Sequence, residues 1–495
     1  MELSKSRYCE AVQCKKMLWL DDNKSEEKQE VSNDSVLDNG TEVGELAKNL
    51  FGKYVNISFN TDLNKMVIET KEALKKENTI ITEASFKYLN NFCSVDILKK
   101  IGNDIYVYEV KSSTEIKDIY LDDISYQIYI LLGLGYNVKK ANIVYINSQY
   151  IRNGDLDLNQ LFNIRDVTDI VLSKQNEVKK KVKEINEYMM QKTEQEEKIG
   201  MQCVTPYDCP FFKYCTKHLP DRNIFKLRGI RKSTQFKLYN DGIYTYEDLL
   251  KIKLNQKYKQ QIEFELYNLD DYIDKEKIRE FLNTLTYPLY FLDFETYQQS
   301  IPKYDGISPY MQVPFQYSLH YVLEENGELY HKEFLAEAGI DPRRKLALQL
   351  VNDIPMDVCT VAYNMKFEKM VIKNLACLYP DLRDHLMNIH DHMQDLMIPF
   401  KNRDYYSKNM DGSFSIKYVL PALFPNDPSL DYHNLDGVHN GSEAMNTYTN
   451  LEEKTLQEQE IIRNQLLKYC ELDTYAMVKI WEKLKEVVQT KRLIK

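Results

Sequence analysis

The spacing of apolar positions changes several times along the chain, and each change marks an element. Leu3, Tyr8, Val12, Met17 and Leu18 recur near helical spacing and predict a short helix over residues 1–20. Residues 21–41 are polar and acidic and predict a loop or partly disordered insert, followed by a helix over 44–51. Between 78 and 111 the period drops to two, predicting strands at 79–81 with Phe86, at 93–98 and at 105–110. The turn Ile101-Gly102-Asn103-Asp104 makes the last two a hairpin. A helix over 121–136, a strand over 141–146 and a long charged helix over 165–198 complete the first region. The lysine run of that helix reads as a solvated face.

From residue 285 strand patterning returns, with a strand at 290–294 and a hairpin of 315–323 and 329–334 around Glu325-Asn326-Gly327. A buried strand at 358–362 and helices over 366–378 and 455–487 follow. Between the two regions lies a helical, basic stretch. The 495 residues exceed one ordinary core, and about three domains are expected. The pattern divides them into 1–220, 221–284 and 285–495, an α/β multidomain chain without internal repeats.

Composition changes this picture little. Apolar residues make up 43% and charged residues 28%, which is globular. The net charge of −10 does not announce a nucleic-acid binder, yet local fields matter more than the sum. No apolar stretch reaches the ~18 residues of a membrane helix, and the N-terminus lacks a signal-peptide core. A cytoplasmic protein is expected. The nine cysteines are an odd number with four in two short groups, which fits metal or cluster ligation better than a disulfide framework. The 37 tyrosines fit compositional bias or base-stacking surfaces.

Chemistry concentrates at two places. The strand expected at 105–110 runs into Glu109-Val110-Lys111, and the strand before it carries Asp96. Residues two apart on a strand share a face, about 7 Å apart. Two carboxylates and one ammonium therefore meet at one end of a sheet. Mg²⁺ takes a few carboxylates plus water, and a lysine beside it can orient the attacking water and neutralise phosphate charge. Gln127, on the next helix, is within reach of the same place. The order Asp96, Glu109-x-Lys111 and a helix with Gln127 resembles the PD-(D/E)XK nuclease superfamily, in particular its RecB-like branch. The resemblance implies a restriction-endonuclease-like fold, catalytic roles for Asp96, Glu109 and Lys111, and metal ligation by Asp96 and Glu109. Two departures stand out: the 44–51 helix has no His, with Glu45 as the stand-in, and Leu131 replaces a Tyr four residues after Gln127.

Asp293 and Glu295 also share one face of a strand. Glu368 opens a helix in Tyr363-Asn364-Met365-Lys366-Phe367-Glu368, and Tyr469 and Asp473 lie four apart on another helix, hence on one face. At an effective dielectric near 20, each like-charge pair at ~4 Å costs about 4 kcal/mol. Four converging acids therefore imply bound cations. Two ions can clamp the attacking and leaving oxygens of phosphodiester cleavage, with Tyr469 orienting the water. The order Asp293-x-Glu295, Asn364-x3-Glu368, Tyr469-x3-Asp473 resembles the tyrosine variety of the DEDD exonucleases, of DnaQ-like, ribonuclease-H-like fold, over roughly 285–490. It implies Mg²⁺ or Mn²⁺ held by Asp293, Glu295, Glu368 and Asp473, and trimming from the 3′ end. Glu368 stands where that family has Asp, and Asp395 is the alternative fourth acid.

Cys14, with Cys9 as its rival, precedes the first region, and Cys203, Cys209 and Cys215 follow it. RecB-like nucleases close their domain with such a one-plus-three layout. That resemblance implies a [4Fe–4S] cluster stapling the two ends of the domain; zinc also suits four thiolates. In the basic stretch, the Gly229 and Gly242 turns resemble a helix–hairpin–helix element. In it Arg228, Arg231, Lys232 and Lys237 would attract phosphates without reading sequence; a helical spacer fits the same residues. The segment 405–421 and the chain order resemble an uncharacterised bacterial family joining a RecB-like domain to a DnaQ-like one. The expectation is a metal-dependent nuclease acting on nucleic acid, DNA foremost. The alternative is a nucleic-acid-binding scaffold whose N-terminal domain grips substrate without cleaving it.

Overall fold

Alternating strands with one buried face need helices to cover them, and the chain supplies both in two separate units. The computed structural model describes residues 2–30 and 34–489. One unit takes residues 1–220, 232–241 and 299–310; the other takes 221–231, 242–298 and 311–495. Both are mixed α/β. The stretch expected as a connector contributes to both units. Among the described residues no helix is long and apolar enough to cross a membrane.

In the first unit, β1 (Leu3–Ser4), β2 (Val55–Asn56), β3 (Asn78–Tyr88), β4 (Asn91–Ile101), β5 (Asp104–Lys111), β6 (Asn137–Ile146) and β7 (Phe162–Asp166) form one sheet. Its order is β2-β3-β4-β5-β6-β7, with β1 added beside β4. β3, β4 and β5 are antiparallel, and β6 runs parallel to β5. That parallel step requires a crossover, supplied by the Asp118–Gly133 helix. Ile124, Ile128 and Leu131 from this helix pack with Val95, Val107 and Ile143 from the sheet. On the opposite face Ile97, Val144 and Ile146 pack with Val43 and Ala47. Each fully buried aliphatic side chain here contributes about 1.5–3 kcal/mol.

Three expectations need correction. The helix expected over 1–20 is two helices, α1 (Lys5–Gln13) and α2 (Lys15–Asn23), because Cys14 between them is extended. The polar segment 21–41 is only partly loop. A helix begins at Asp34 and runs to Ala47, held by the buried Val43 and Ala47, and ends in a tighter turn over Lys48–Phe51; residues 31–33 lie outside the described residues. The long helix over 165–198 starts later and ends sooner. Residues from Phe162 to Asp166 pair with β6, and Asp166 Oδ1 then accepts from the Thr168 N–H and starts the next helix. Helices Thr168–Ser173 and Gln175–Met189 follow, and 190–198 are not helical.

In the second unit, helices Tyr246–Leu250, Gln256–Leu266 and Lys275–Leu282 precede the main sheet. A short pair of strands, β8 (Tyr272–Ile273) and β14 (Tyr405–Tyr406), stands apart from it. The main sheet contains β9 (Leu289–Tyr297), β10 (Val313–Val322), β11 (Leu329–Leu335), β12 (Cys359–Ala362) and β13 (Met393–Asp395), in the order β11-β10-β9-β12-β13. β10 is antiparallel to both neighbours, and the β9–β12 and β12–β13 pairings are parallel. The central strand β9 is apolar on both faces. Tyr290, Leu292 and Phe294 pack with Leu346, Leu350, Val371 and Leu375 from the covering helices. Leu289 and Phe291 pack with Leu472, Ala476 and Trp481 from the C-terminal helix Leu456–Gln489. The acids of β9 share the second of these faces.

Candidate functional site

In the second unit, period-two alternation places Asp293 and Glu295 on the same side as Phe291, facing the C-terminal helix. Helical period four brings Tyr469 and Asp473 to meet them. Carboxylate oxygens of Asp293, Glu295 and Asp473 all lie within 4.8 Å of one another. Glu368 is buried in the first turn of the Lys366–Leu378 helix, and its Oε2 has no hydrogen-bond partner. Its charge adds to the repulsion felt by Asp293 and Glu295. Among the described residues none of these four acids makes an ion pair. Burial pushes all four up, and repulsion adds to it from the other acids at Asp293 and Glu295 and from Asp395 at Glu368: Asp293 and Glu295 stand well above the usual carboxylate range, Glu368 at about 8, and Asp473 at about 6. Asp473 is raised least because hydroxyls and a more distant lysine stabilise its charge. Tyr432 donates to its Oδ1 at 2.6 Å, Lys417 adds positive charge, and Tyr469 donates as well.

Asp395, the rival fourth acid, is occupied otherwise. Its Oδ1 accepts from the backbone N–H groups of Asn364 and Met397 at 2.9 and 3.0 Å, which ties β13 to the turn before Glu368. Tyr432 was not anticipated. It lies 37 residues before Tyr469 in a short turn, and no spacing rule links the two. Gly441 also borders the site, since a Cβ there would stand 3.6 Å from Glu295 Oε2. A cleft lined by Lys417, Tyr432, His433, His439 and Asn440 opens beside the acids.

The first-unit site follows from a fork in the sheet. The β4–β5 ladder ends at Ile97↔Tyr108, so Asp96 and Glu109 face each other just beyond it. Asp96 Oδ2 takes the Val110 N–H at 2.7 Å, where the ladder no longer supplies a carbonyl. β1 occupies the vacated edge of β4 at Asn91 and Phe92 and delivers the start of α1 into the fork. Lys5 Nζ lies 3.4 Å from Asp96 Oδ1 and 2.9 Å from Glu109 Oε1. Lys111 Nζ lies 2.7 Å from Glu109 Oε1 and 2.6 Å from Asp123 Oδ2. Gln127 Nε2 donates to Glu109 Oε2 at 2.6 Å and to Asp123 Oδ1 at 3.0 Å. Three carboxylates and two ammoniums thus meet. Burial opposes the Glu109 charge, but Lys111 and Lys5 outweigh it and hold Glu109 below the carboxylate range. Burial and the Glu109 charge raise Asp96 to about 7.

Lys5, Asp123 and Glu83 are additions to the sequence reading. Asp123 had a signal, since it precedes Gln127 by one helical turn. Lys5 had none, because its place is set by a strand pairing across nearly 90 residues. Glu83 stands across from Asp96 in an unshifted register, between the Thr82↔Ile97 and Ala84↔Val95 pairs, with φ of 57°. Burial raises this carboxyl beside Lys48 and Lys5. Glu45 pairs with Lys48 at 2.6 Å.

Cys14, Cys203, Cys209 and Cys215 line one small pocket, with Met17, Leu20, Phe211 and Phe212 around them. Cys9 packs instead near Asp123 and Lys111. The extended backbone at Cys14 turns this side chain into the pocket mouth of α2, where the Lys16 and Met17 N–H groups favour its thiolate against the effect of burial. Burial pushes Cys209 up to about 12 and Cys215 up to about 11. Among the described residues, the groups whose ligand atoms all fall within 4.8 Å are Asp293–Glu295–Asp473 and His320–His331–Glu471. The cysteines are therefore more widely spread than one tetrahedral zinc with ~2.3 Å bonds would hold them. Gly229 and Gly242 both adopt left-handed turns, with φ of 79° and 82°. Arg228 is engaged within the second unit, bonding Asp411 at 3.1 Å and the Tyr418 hydroxyl at 2.7 Å. Arg231, in the second unit, and Lys232 and Lys237, in the first, are exposed.

Two outcomes follow. In metal-free protein the folded acids keep protons that the unfolded chain has released, so stability should fall as pH rises from about 4 through the values near 6 and 8 of Asp473 and Glu368. Asp293→Asn should flatten that slope and raise the melting temperature at pH 8 by about 2–4 °C per kcal/mol of repulsion removed; thermal melts in chelator across pH check both. Lys5→Ala should leave Asp96 without an ammonium and Glu109 with Lys111 alone, and cost about 2 kcal/mol, with Mg²⁺ restoring part of the loss in a denaturant titration.

A family model described as a domain of unknown function (DUF2779) matches residues 290–415, a span that holds Asp293, Glu295, Glu368 and Asp395 but stops before Tyr469 and Asp473. No curated protein matches the chain.

Proposed function

We propose that the second unit is a metal-dependent exonuclease of the DnaQ-like DEDD type, with a ribonuclease-H-like fold, trimming nucleic acid, DNA foremost, from the 3′ end. One observation carries the reading. Asp293, Glu295 and Asp473 converge with Glu368 beside them, and among the described residues no ammonium or guanidinium pairs with any of them. Apolar packing on both faces of β9 holds these acids together against their repulsion. The orphaned Glu368 Oε2 and an all-oxygen donor set suit Mg²⁺ or Mn²⁺. A mixed sheet in which only β10 runs opposite to the other four strands supports the ribonuclease-H-like assignment.

Within this reading each side chain has a task. Asp293, Glu295, Glu368 and Asp473 hold the ions. A bound ion supplies charge for the phosphoryl oxygens and a more acidic water. Tyr469 and Tyr432 fix the Asp473 carboxylate by hydrogen bonds, and Tyr469 orients the attacking water. Lys417, exposed at the cleft, meets the substrate phosphate.

For the first unit the reading is a RecB-like PD-(D/E)XK domain with a [4Fe–4S] cluster on Cys14, Cys203, Cys209 and Cys215. The shared pocket and the spread of the thiols support the larger group over zinc. The cluster would join α2 to the segment 203–215 as a staple. One observation favours binding over cleavage in this unit: the Lys5 ammonium already bridges Asp96 and Glu109. Here the unit binds nucleic acid without hydrolysing it, because its own ammoniums sit among the carboxylates where an ion would stand.

End-labelled single strands with Mn²⁺ provide the test. Asp293→Ala with Glu295→Ala should lower degradation on the order of 100-fold or more, while Lys111→Ala leaves the rate intact and weakens substrate binding. Equal rates for the double variant and wild type would refute the assignment. Anaerobically purified protein should be brown, and Cys209→Ser should bleach it; colourless protein with one zinc per chain would overturn the cluster.

A further inference from the structure

A second set of metal-ligating side chains lies on the same face of the second-unit sheet, one strand outward from the acids. His320 on β10 and His331 on β11 are direct cross-strand partners, and their rings stand 4.4 Å apart. Glu471 comes from the C-terminal helix above them. Ligand atoms of the three residues all fall within 4.8 Å of one another. His320 is buried, His331 half-buried and Glu471 exposed, so the group is closed on the sheet side and open to solvent on the helix side.

The hydrogen bonds around the rings assign their protons. Thr474 Oγ1 donates to the Glu471 carbonyl at 3.1 Å, and a carbonyl can only accept. Thr474 Oγ1 must then accept from both of its other partners, His320 Nδ1 at 2.8 Å and Ser318 Oγ at 2.6 Å. Ser318 has thereby used its only proton, so it accepts from His331 Nε2 at 2.9 Å. Neutral rings in these tautomers keep one lone pair each, on His320 Nε2 and His331 Nδ1. Burial holds His320 neutral, its pKa pushed down to about 3. Metal-binding imidazoles are fixed in this way, with the second nitrogen donating to an outer partner.

We propose that His320, His331 and Glu471 form a binding site for a borderline divalent cation, zinc foremost, separate from the acidic centre. Two imidazoles and one carboxylate suit Zn²⁺ and leave a fourth position open; Mg²⁺ prefers oxygen ligands. Glu333 on β11 lies close enough to act electrostatically on His331 and Glu471. An ion here ties the β10–β11 hairpin to the helix that carries Asp473, two residues beyond Glu471. The site does not depend on the exonuclease reading, because it shares no ligand with the acids.

Cobalt substitution tests it on the full chain carrying Cys203→Ser and Cys209→Ser, so that neither a cluster nor a thiolate–cobalt site absorbs, after stripping with chelator. Co²⁺ should give visible d–d bands without the near-ultraviolet charge transfer of a thiolate site, and Zn²⁺ should quench them. His331→Ala, at a half-exposed position, should abolish the bands and weaken zinc affinity by about 100-fold or more, and Thr474→Val by about 10–100-fold. Asp293→Asn should leave the bands unchanged. Circular dichroism establishes that each variant is folded. Bands that survive His331→Ala, or that vanish with Asp293→Asn, would overturn the proposal.

Discussion

The structure of the second unit turns on holding mutually repelling carboxylates in a buried place. Nothing in the electrostatics of Asp293, Glu295 and Asp473 favours their meeting. The force that assembles them is apolar. Leu472, Ala476 and Trp481 bury against Leu289 and Phe291, and that packing fixes the rotation of the C-terminal helix over β9. With the rotation fixed, Tyr469 and Asp473 have no other direction to face. The acids are an excess charge imposed by hydrophobic packing, and hydroxyls from Tyr432 and Tyr469 relieve only one of them.

The first unit meets the same problem differently. Its acids also stand at strand ends, but Lys5 and Lys111 interleave with them, and Gln127 spans two of the three carboxylates. Charge is balanced from within. The contrast separates two kinds of acidic cluster. One is completed by the chain's own ammoniums, and the other is left for something from solution. The difference arises from backbone topology, since only the parting of β4 and β5 admits β1 and its lysine.

Much of this was legible in the sequence where geometry is local. Period-two and period-four spacing put Asp293 with Glu295 and Tyr469 with Asp473, and the hairpin placed Asp96 opposite Glu109. Gln127 was found for the same reason, and Asp123 was missed although it obeys the same rule. Lys5, Tyr432 and the meeting of the His320–His331 pair with Glu471 were not legible. Each depends on pairing or packing between distant segments, which side-chain period does not encode. Helix breaks were also hidden. Cys14 interrupts the first helix without proline or glycine, because its place in the cysteine pocket requires an extended backbone.

The most direct measurement is calorimetric titration of Mn²⁺ into metal-free protein at pH 7, in buffers of different ionisation enthalpy. Acids raised by repulsion and burial must shed protons when an ion takes their place. Wild type should bind and release protons, and Asp473→Asn should lose most of both. Binding without proton release, or binding indifferent to Asp473, would contradict the claim that the convergent carboxylates are a cation site.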